Sequence, residues 1–355
     1  MTTATYLPRD YDIFIGIDVD KKSFAFTVRD HDTMKRSKKV AANPEQFYNY
    51  IQNNFNDKRV ICAYEAGPTG FHLHDHLKEK EVLCLVTPPT SIPKAPNEKV
   101  KTNRIDSNKI TEELMAGKLK SVRVPEGPYR EIRHLVRIRE NYARNRKGTR
   151  QRIKALLLSV NLYPLLKDPE IKWSSCYIKE LKQIECSFAV RSRLDMLLMD
   201  LEYARQQILS THRTLKTFCN NNLEIKKYME YLQSIPGIGF ITAVSILANI
   251  GDPQNLKNPR EIGAFVGVVP RENSTGDKIN KGAITHLGNQ NLRSLLIEAS
   301  WVAIRKDNEL QQFYYRIKRR HHPKIASRVA IVAVARKLTQ RIYKVLKEQR
   351  KYIKH

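Results

Sequence analysis

The stretch Ile13-Phe-Ile-Gly-Ile-Asp18-Val19 is a nearly continuous apolar run that carries a carboxylate near its end. A short isoleucine-rich run, apolar at successive positions, fits a strand buried on both faces in the middle of a sheet. Such a strand has to be covered above and below, which commits this part of the chain to an α/β arrangement. The neighbouring sequence agrees. Asp20-Lys-Lys22 reads as a turn, and Phe24, Phe26 and Val28 then alternate with smaller or polar residues as in a half-buried second strand. Val60–Tyr64 reads as a third strand, broken by Gly67-Pro-Thr-Gly70, and Phe71 to Lys80 follows with helical periodicity. Val82–Val86 reads as a fourth strand stopped by Pro88-Pro89, and a helix from about Thr102 to Lys120 closes the unit. Residues 1–122 are therefore expected to form a mixed α/β domain.

The pattern then changes. Residues 123–230 contain no convincing strand and predict an all-α region. Arg130 to Lys154 places ten Lys/Arg against two Glu, with Ile132, Leu135, Val136 and Ile138 as an apolar stripe. A second long helix is predicted from about Ser187 to Phe218, with Leu194, Leu197, Leu198, Leu201 and Ile208 at helical spacing. Two long helices joined by a proline-containing segment predict a helical hairpin or coiled coil. Residues 231–355 form a third region. Ile235-Pro-Gly-Ile-Gly239 leads into an apolar helix at Phe240–Ile250. A Gly/Asn-rich segment spans 263–291, and helices follow near Leu292–Arg305, Leu310–Arg320 and Ser327–Gln349.

Charge narrows the partner. Lys and Arg total 63 against 36 Asp and Glu, a net charge of +27 over 355 residues. So large a positive excess on a chain able to bury a core points to a polyanion, nucleic acid being the commonest. No long uncharged apolar run is present, so no membrane span is expected, and the first residues lack the apolar core of a signal peptide. The five cysteines include no CxxC pair. That pattern argues against a zinc knuckle or a disulfide framework and for a reducing, cytoplasmic setting.

Three groups of residues could carry chemistry. Asp18 and Glu65 end the first and third predicted strands, and parallel strands would open both onto one sheet edge, where α/β folds place ligands. Asp106 lies near the start of the following helix. Carboxylates far apart in sequence and convergent in space are what Mg²⁺ requires, since hard cations take oxygen ligands. Strand-end acids also simply cap turns, and that alternative stays open. The second group is Gly237 and Gly239, whose turn before a helix would expose backbone N–H groups to a phosphate, or merely join two helices. The third is Pro270-Arg-Glu-Asn-Ser274-Thr-Gly276-Asp-Lys278, where Ser274 sits among cations as a hydroxyl facing a phosphate would. Arg271, Lys278 and Arg293 are candidates to hold that phosphate.

Taken in order, these segments resemble one family. Gly16-Ile-Asp18-Val-Asp-Lys21, Tyr64-Glu65-Ala-Gly67-Pro-Thr-Gly70 and Lys101-Thr-Asn-Arg-Ile-Asp106 are similar to the three acidic motifs of the DEDD insertion-sequence transposases, relatives of the Piv-type DNA invertases. Ile235-Pro-Gly-Ile-Gly239 and Gly267-Val-Val-Pro-Arg-Glu-Asn-Ser-Thr-Gly276 resemble the family's helix-hairpin-helix and serine motifs. The resemblance implies an RNase H-like (RuvC-like) N-terminal domain, a coiled-coil insert and a helical C-terminal transposase domain. It further implies Mg²⁺ held by Asp18, Glu65 and Asp106, Ser274 as a nucleophile that forms a phosphoserine link to DNA, a bridge or seeker RNA as guide, and dimers or tetramers with composite sites. One position departs from the family. Asn103 stands where the third motif commonly carries another acid, so a metal there would meet an amide oxygen in place of a charge. Two other readings remain at this stage: a RuvC-like nuclease that uses water, and a nucleic-acid-binding scaffold.

Overall fold

The computed structural model describes residues 6–32, 34–92, 102–162, 173–272, 281–284 and 288–353. It divides into two compact units, residues 1–124 and 125–355. The first unit is built on a five-stranded sheet: β1 (Ile13–Val19), β2 (Ser23–Arg29), β3 (Lys35–Ala41), β4 (Val60–Glu65) and β5 (Leu83–Thr87). Its order is β3-β2-β1-β4-β5. The first three strands form an antiparallel meander, whereas β4 and β5 run parallel to β1. The apolar run at 13–19 is thus the central strand, as its two-sided hydrophobicity requires.

Side-chain alternation sorts the two faces. Ile13, Ile15, Ile17, Cys62 and Tyr64 pack with Phe47, Ile51 and Phe55 of α1 (Pro44–Phe55) and Leu73 and Leu77 of α2 (His72–Glu79). Phe14, Ile61, Ala63 and Leu85 point the other way, onto Ile110 and Leu114 of α3 (Asn103–Met115). α3 stops short of the predicted Lys120 because Gly117 takes a left-handed backbone (φ +66°) just past its end. Two elements were not anticipated from sequence. β3, Lys-Arg-Ser-Lys-Lys-Val-Ala, has no apolar alternation and is exposed at all but one position; it is held as an edge strand by pairing with β2. α1 is capped by the Asn43 side chain, which accepts from the Glu45 and Gln46 amides.

In the second unit, α4 (Gly127–Ser159) and α6 (Phe188–Asn221) lie antiparallel. Ile153, Leu156 and Leu157 near the end of α4 meet Leu194, Leu197, Leu198 and Leu201 near the start of α6. Farther along, Tyr142 and Tyr203 stack edge to face with ring centroids 6.1 Å apart. α5 (Ser175–Gln183) adds Tyr177 and Leu181 to the leucine cluster. The paired long helices expected from the sequence are therefore present, and the leucines pack within the chain. α7 (Leu223–Gln233), the almost wholly buried α8 (Phe240–Ile250) and α9 (Arg260–Val266) follow. A short antiparallel pair, β6 (Pro270–Glu272) and β7 (Lys281–Ile284), precedes α10 (Gln290–Lys306), α11 (Asn308–Lys318) and α12 (Pro323–Lys347). No described helix is long and apolar enough to cross a membrane.

Two expected outcomes follow. A Cβ at Gly16 would sit 2.4 Å from the Ser107 carbonyl oxygen and from Thr111 Oγ1, with backbone as one obstacle. Gly16→Ala should cost about 1–3 kcal/mol by overpacking, read as a lower denaturant midpoint for the first unit. Burial also pushes the Cys62 and Cys84 thiols well above their usual range, whereas Cys176 is exposed. Iodoacetamide at pH 8 should modify Cys176 in the folded protein and reach Cys62 and Cys84 only after unfolding, as peptide mass mapping would show.

Candidate active site

The acidic residues converge on one edge of the first unit. β1 and β4 are parallel neighbours with Ile17 beside Tyr64, so Asp18 and Glu65 are the next residues along each strand. Both share the parity of Phe14 and Ile61, whose side chains lie on the α3 face. α3 runs antiparallel to β1, because Leu114 and Ile110 pack in the cluster of Phe14 while Thr111 and Ser107 sit over Gly16. Its first turn, with Asp106, therefore lies toward the strand ends that carry Asp18 and Glu65. The helix is fixed in rotation too. Thr111 Oγ1 accepts from the Gly16 amide at 3.0 Å, and Ser107 Oγ shares a 2.9 Å hydrogen bond with Thr27 Oγ1 on β2. Arg29 Nη2 donates to Asn108 Oδ1 at 3.0 Å and to Glu112 Oε1 at 2.8 Å. With that side of α3 turned to β2, helical periodicity turns Asp106 toward β4.

Asp18 and Asp106 are half-buried and Glu65 is exposed. The carboxylates share an edge and a face without forming a closed cluster: among the described residues, no three His, Cys, Asp or Glu side chains are grouped closely enough to hold an ion. The donor set nevertheless suits a hard divalent cation, since it is all oxygen and opens to solvent through Glu65. Asn103 opens α3 and is exposed, while the Thr102 hydroxyl caps the helix by accepting from the Ile105 amide at 3.3 Å. A cleft of about 420 Å³ beside it is lined by Lys38, Lys39, Asn103, Arg104 and Ser107. Lys39 pairs in register with Ala25, which pairs with Asp18, so a basic rim stands two strands from the first carboxylate. Sequence reading missed this rim because β3 gives no strand signal.

The other candidates lie in the second unit. Gly237 is held at φ +90°, and a Cβ there would fall 2.3 Å from the Ala299 carbonyl oxygen of α10. Its placement lets α10 approach the turn closely. Gly239 is different: it is exposed, a Cβ would meet nothing within 4 Å, and it precedes α8 without a side-chain cap. Around the start of α8, the His212 ring lies 5.0 Å from that of Phe240. Burial, with Lys216 and Arg139 nearby, holds His212 below the usual histidine range. The open helix start thus lies in an electropositive neighbourhood suited to an anion.

Ser274 and Lys278 lie outside the described residues, but both roots of their segment are described. On the entering side, α9 ends at Gly267 in a left-handed conformation, and β6 pairs with β7 through Pro270–Ile284 and Glu272–Lys281. Arg271 is on β6 and exposed. On the leaving side, Gly288 (φ +109°) presses against the Phe265 carbonyl, leaving no room for a Cβ. The Asn289 backbone amide donates to that same carbonyl at 2.9 Å; its side-chain Oδ1 caps α10 by accepting from the Leu292 amide, and its Nδ2 donates to Asn249 Oδ1 at 2.8 Å. Arg293, a candidate to hold the phosphate, is 9% exposed and donates from Nη1 to the Val266 carbonyl at 2.9 Å. Its charge faces inward onto the end of α9, a position that stabilises the root of the segment. Proximity in sequence could not reveal this, because the partner carbonyl is 27 residues upstream.

Comparison with known proteins matches two stretches of the chain to transposase families. Residues 15–162 match a DEDD transposase family of the IS110 type, described as "Transposase", and residues 229–315 match the family described as "Transposase IS116/IS110/IS902 family". The chain is 28% identical over 298 residues to a putative transposase of Sinorhizobium fredii, covering 82% of this chain and 72% of that protein. It is 28% identical over 215 residues to the transposase of insertion sequence element IS1111A of Coxiella burnetii, covering 58% and 56%. A pilin gene-inverting protein of Moraxella bovis is 26% identical over 197 residues, covering 55% and 59%. The two family matches fall in chain order on the acidic unit and on the segment bearing the glycine turn and Ser274, which defines an enzyme of the DNA transposase and recombinase class. The chain belongs to the IS110-type DEDD transposases.

Arg293→Ala should remove a charged hydrogen bond to a buried carbonyl and cost about 1.5–3 kcal/mol, seen in thermal unfolding. It should leave the salt dependence of DNA binding unchanged, because the guanidinium faces Val266.

Proposed function

We propose that this transposase cuts and rejoins DNA through a phosphoserine intermediate, guided by a bridge or seeker RNA. The observation that carries the reading is the placement of Asp18 and Glu65 at the ends of adjacent parallel strands, facing the α3 side that brings Asp106 to the same edge. The meander of three antiparallel strands followed by two parallel ones is the arrangement expected of an RNase H-like (RuvC-like) domain. Residues 1–122 serve as the acidic catalytic domain, 123–230 as the coiled-coil region and 231–355 as the serine domain. α7, the Pro-Gly-Ile-Gly turn and α8 act as a helix-hairpin-helix that meets the DNA backbone through Gly239.

Asp18, Glu65 and Asp106 would hold Mg²⁺, with the Asn103 amide oxygen as a neutral fourth donor. Bound there, the ion supplies Lewis-acid stabilisation of charge on the phosphate oxygens. The chain's own residues carry the transfer. Ser274 Oγ loses its proton to solvent and attacks phosphorus, an Oγ–P bond forms, and the 3′ oxygen of the cut strand leaves and takes up a proton. Arg271 and Lys278 balance negative charge on the phosphate as it is transferred. Attack of another strand's 3′-hydroxyl on the phosphoserine rejoins the DNA and regenerates Ser274. Base pairing with the guide supplies target choice, leaving the protein to read backbone and shape. The acidic edge and the serine segment belong to different units, which accommodates a composite site shared between protomers of a dimer or tetramer in the cytoplasm of a bacterium or archaeon.

The test is a cleavage assay with guide RNA, Mg²⁺ and a matching DNA. Ser274→Ala should abolish covalent protein–DNA adducts on denaturing gels. Asp18→Asn should slow strand cleavage by about a hundredfold or more. Full-rate cleavage by Ser274→Ala would instead establish water as the nucleophile.

A further inference from the structure

The long helix α4 concentrates positive charge. Ten Lys/Arg and two Glu fall between residues 130 and 154. Arg133, Arg137, Glu140, Arg144 and Lys147 recur at intervals of three and four, a single stripe along one face. Arg139 lies beside it, half-buried, and its Nε is enclosed without a hydrogen-bond partner among the described residues. Enclosure and crowding by other cations hold Arg133 and Arg139 below the usual arginine range, with Arg137 pressing on the first and Arg146 on the second. Like charges brought together out of water are costly unless an anion joins them.

The stripe opens into a groove. A cavity of about 440 Å³ lies between α4 and α10 over the first turns of α8. Arg139, Arg144 and Lys147 line one wall, Asn291 and Ser294 the other, and Val244 is part of the apolar floor. Two acids also reach the groove. Glu298 lines the α10 wall, and Glu140 on α4 is tied across the gap by Asn291 Nδ2, which donates to its Oε2 at 3.0 Å. The apolar floor suits sugars and the cationic wall suits phosphates. Direction comes from α10, whose first residues line the groove and follow directly on the anchored root of the Ser274 segment at Gly288 and Asn289.

We propose that this α4–α10 groove seats the DNA backbone flanking the phosphodiester that Ser274 attacks, with Arg144 and Lys147 as phosphate contacts. The inference rests on the proposed reading that Ser274 acts on DNA. α10 starts at the Gly288–Asn289 root and lines the groove, so a strand following the helix from that root enters the groove directly, which favours DNA over the guide RNA as occupant. Arg139 stands deeper, where its enclosed Nε is available once an anion enters.

The test uses the full chain with a fluorescein-labelled 30-base-pair DNA duplex and an RNA of equal length, titrated over a series of salt concentrations. Arg144 and Lys147 are exposed, so Arg144→Gln/Lys147→Gln should fold normally, checked by circular dichroism. Losing two phosphate contacts should flatten the slope of log K against log salt for DNA by about 1.8. An unchanged DNA slope overturns the proposal, whatever happens with RNA. The two readings fail separately: a wild-type chain that does not bind DNA sinks the proposed function, and a wild-type chain that binds with the same slope as the variant sinks only the groove.

Discussion

Everything at the acidic edge depends on how closely α3 can lie on β1. Gly16 has no side chain, and its amide donates to Thr111 Oγ1 of the helix above it. With any larger residue at this point α3 would have to rise or slide, because the nearest obstacles include the helix backbone at Ser107 and Thr111. The close approach also sets the rotation of the helix, since Thr111 and Ser107 bond to β1 and β2 at once. Rotation in turn sets which way the first turn of α3, with Asp106, faces across the sheet. A glycine two residues before the first carboxylate is therefore part of the site although it touches no substrate.

The second unit solves the same problem by other means. The Ser274 segment is gripped at its roots by the end of α9: Gly267, Gly288, Asn289 and Arg293 all act on carbonyls or turns between Gly263 and Val266. These contacts satisfy backbone groups that the helix end leaves open. Two glycines with positive φ and one buried arginine take part in that grip.

Much of this was legible in the sequence where apolar patterning is strong. β1, β2, β4, β5 and α8 lie where the runs of Ile, Val and Phe placed them, because burial on one or both faces leaves a clear period. Asp18 and Glu65 were readable as neighbouring strand ends because both close such runs. β3 escaped notice since its register is imposed by β2 and its residues are mostly Lys and Arg. The inward turn of Arg293 was equally invisible: a guanidinium meant for phosphate and one meant for a distant carbonyl look alike in one dimension. Gly16 did carry a signal, an isolated glycine inside a strand, which commonly marks close approach of another backbone.

The exposed edge strand β3 has a consequence for the sheet as a whole. An open edge offers unpaired N–H and C=O groups to any other strand, and flat apolar edges of that kind recruit copies of themselves. Here the edge carries Lys35, Arg36, Lys38 and Lys39, so a second copy brought alongside would place four cations against four. Mutual repulsion keeps the edge single while still leaving it attractive to an acidic polymer. The same four side chains thereby disfavour strand-to-strand pairing between copies of the chain.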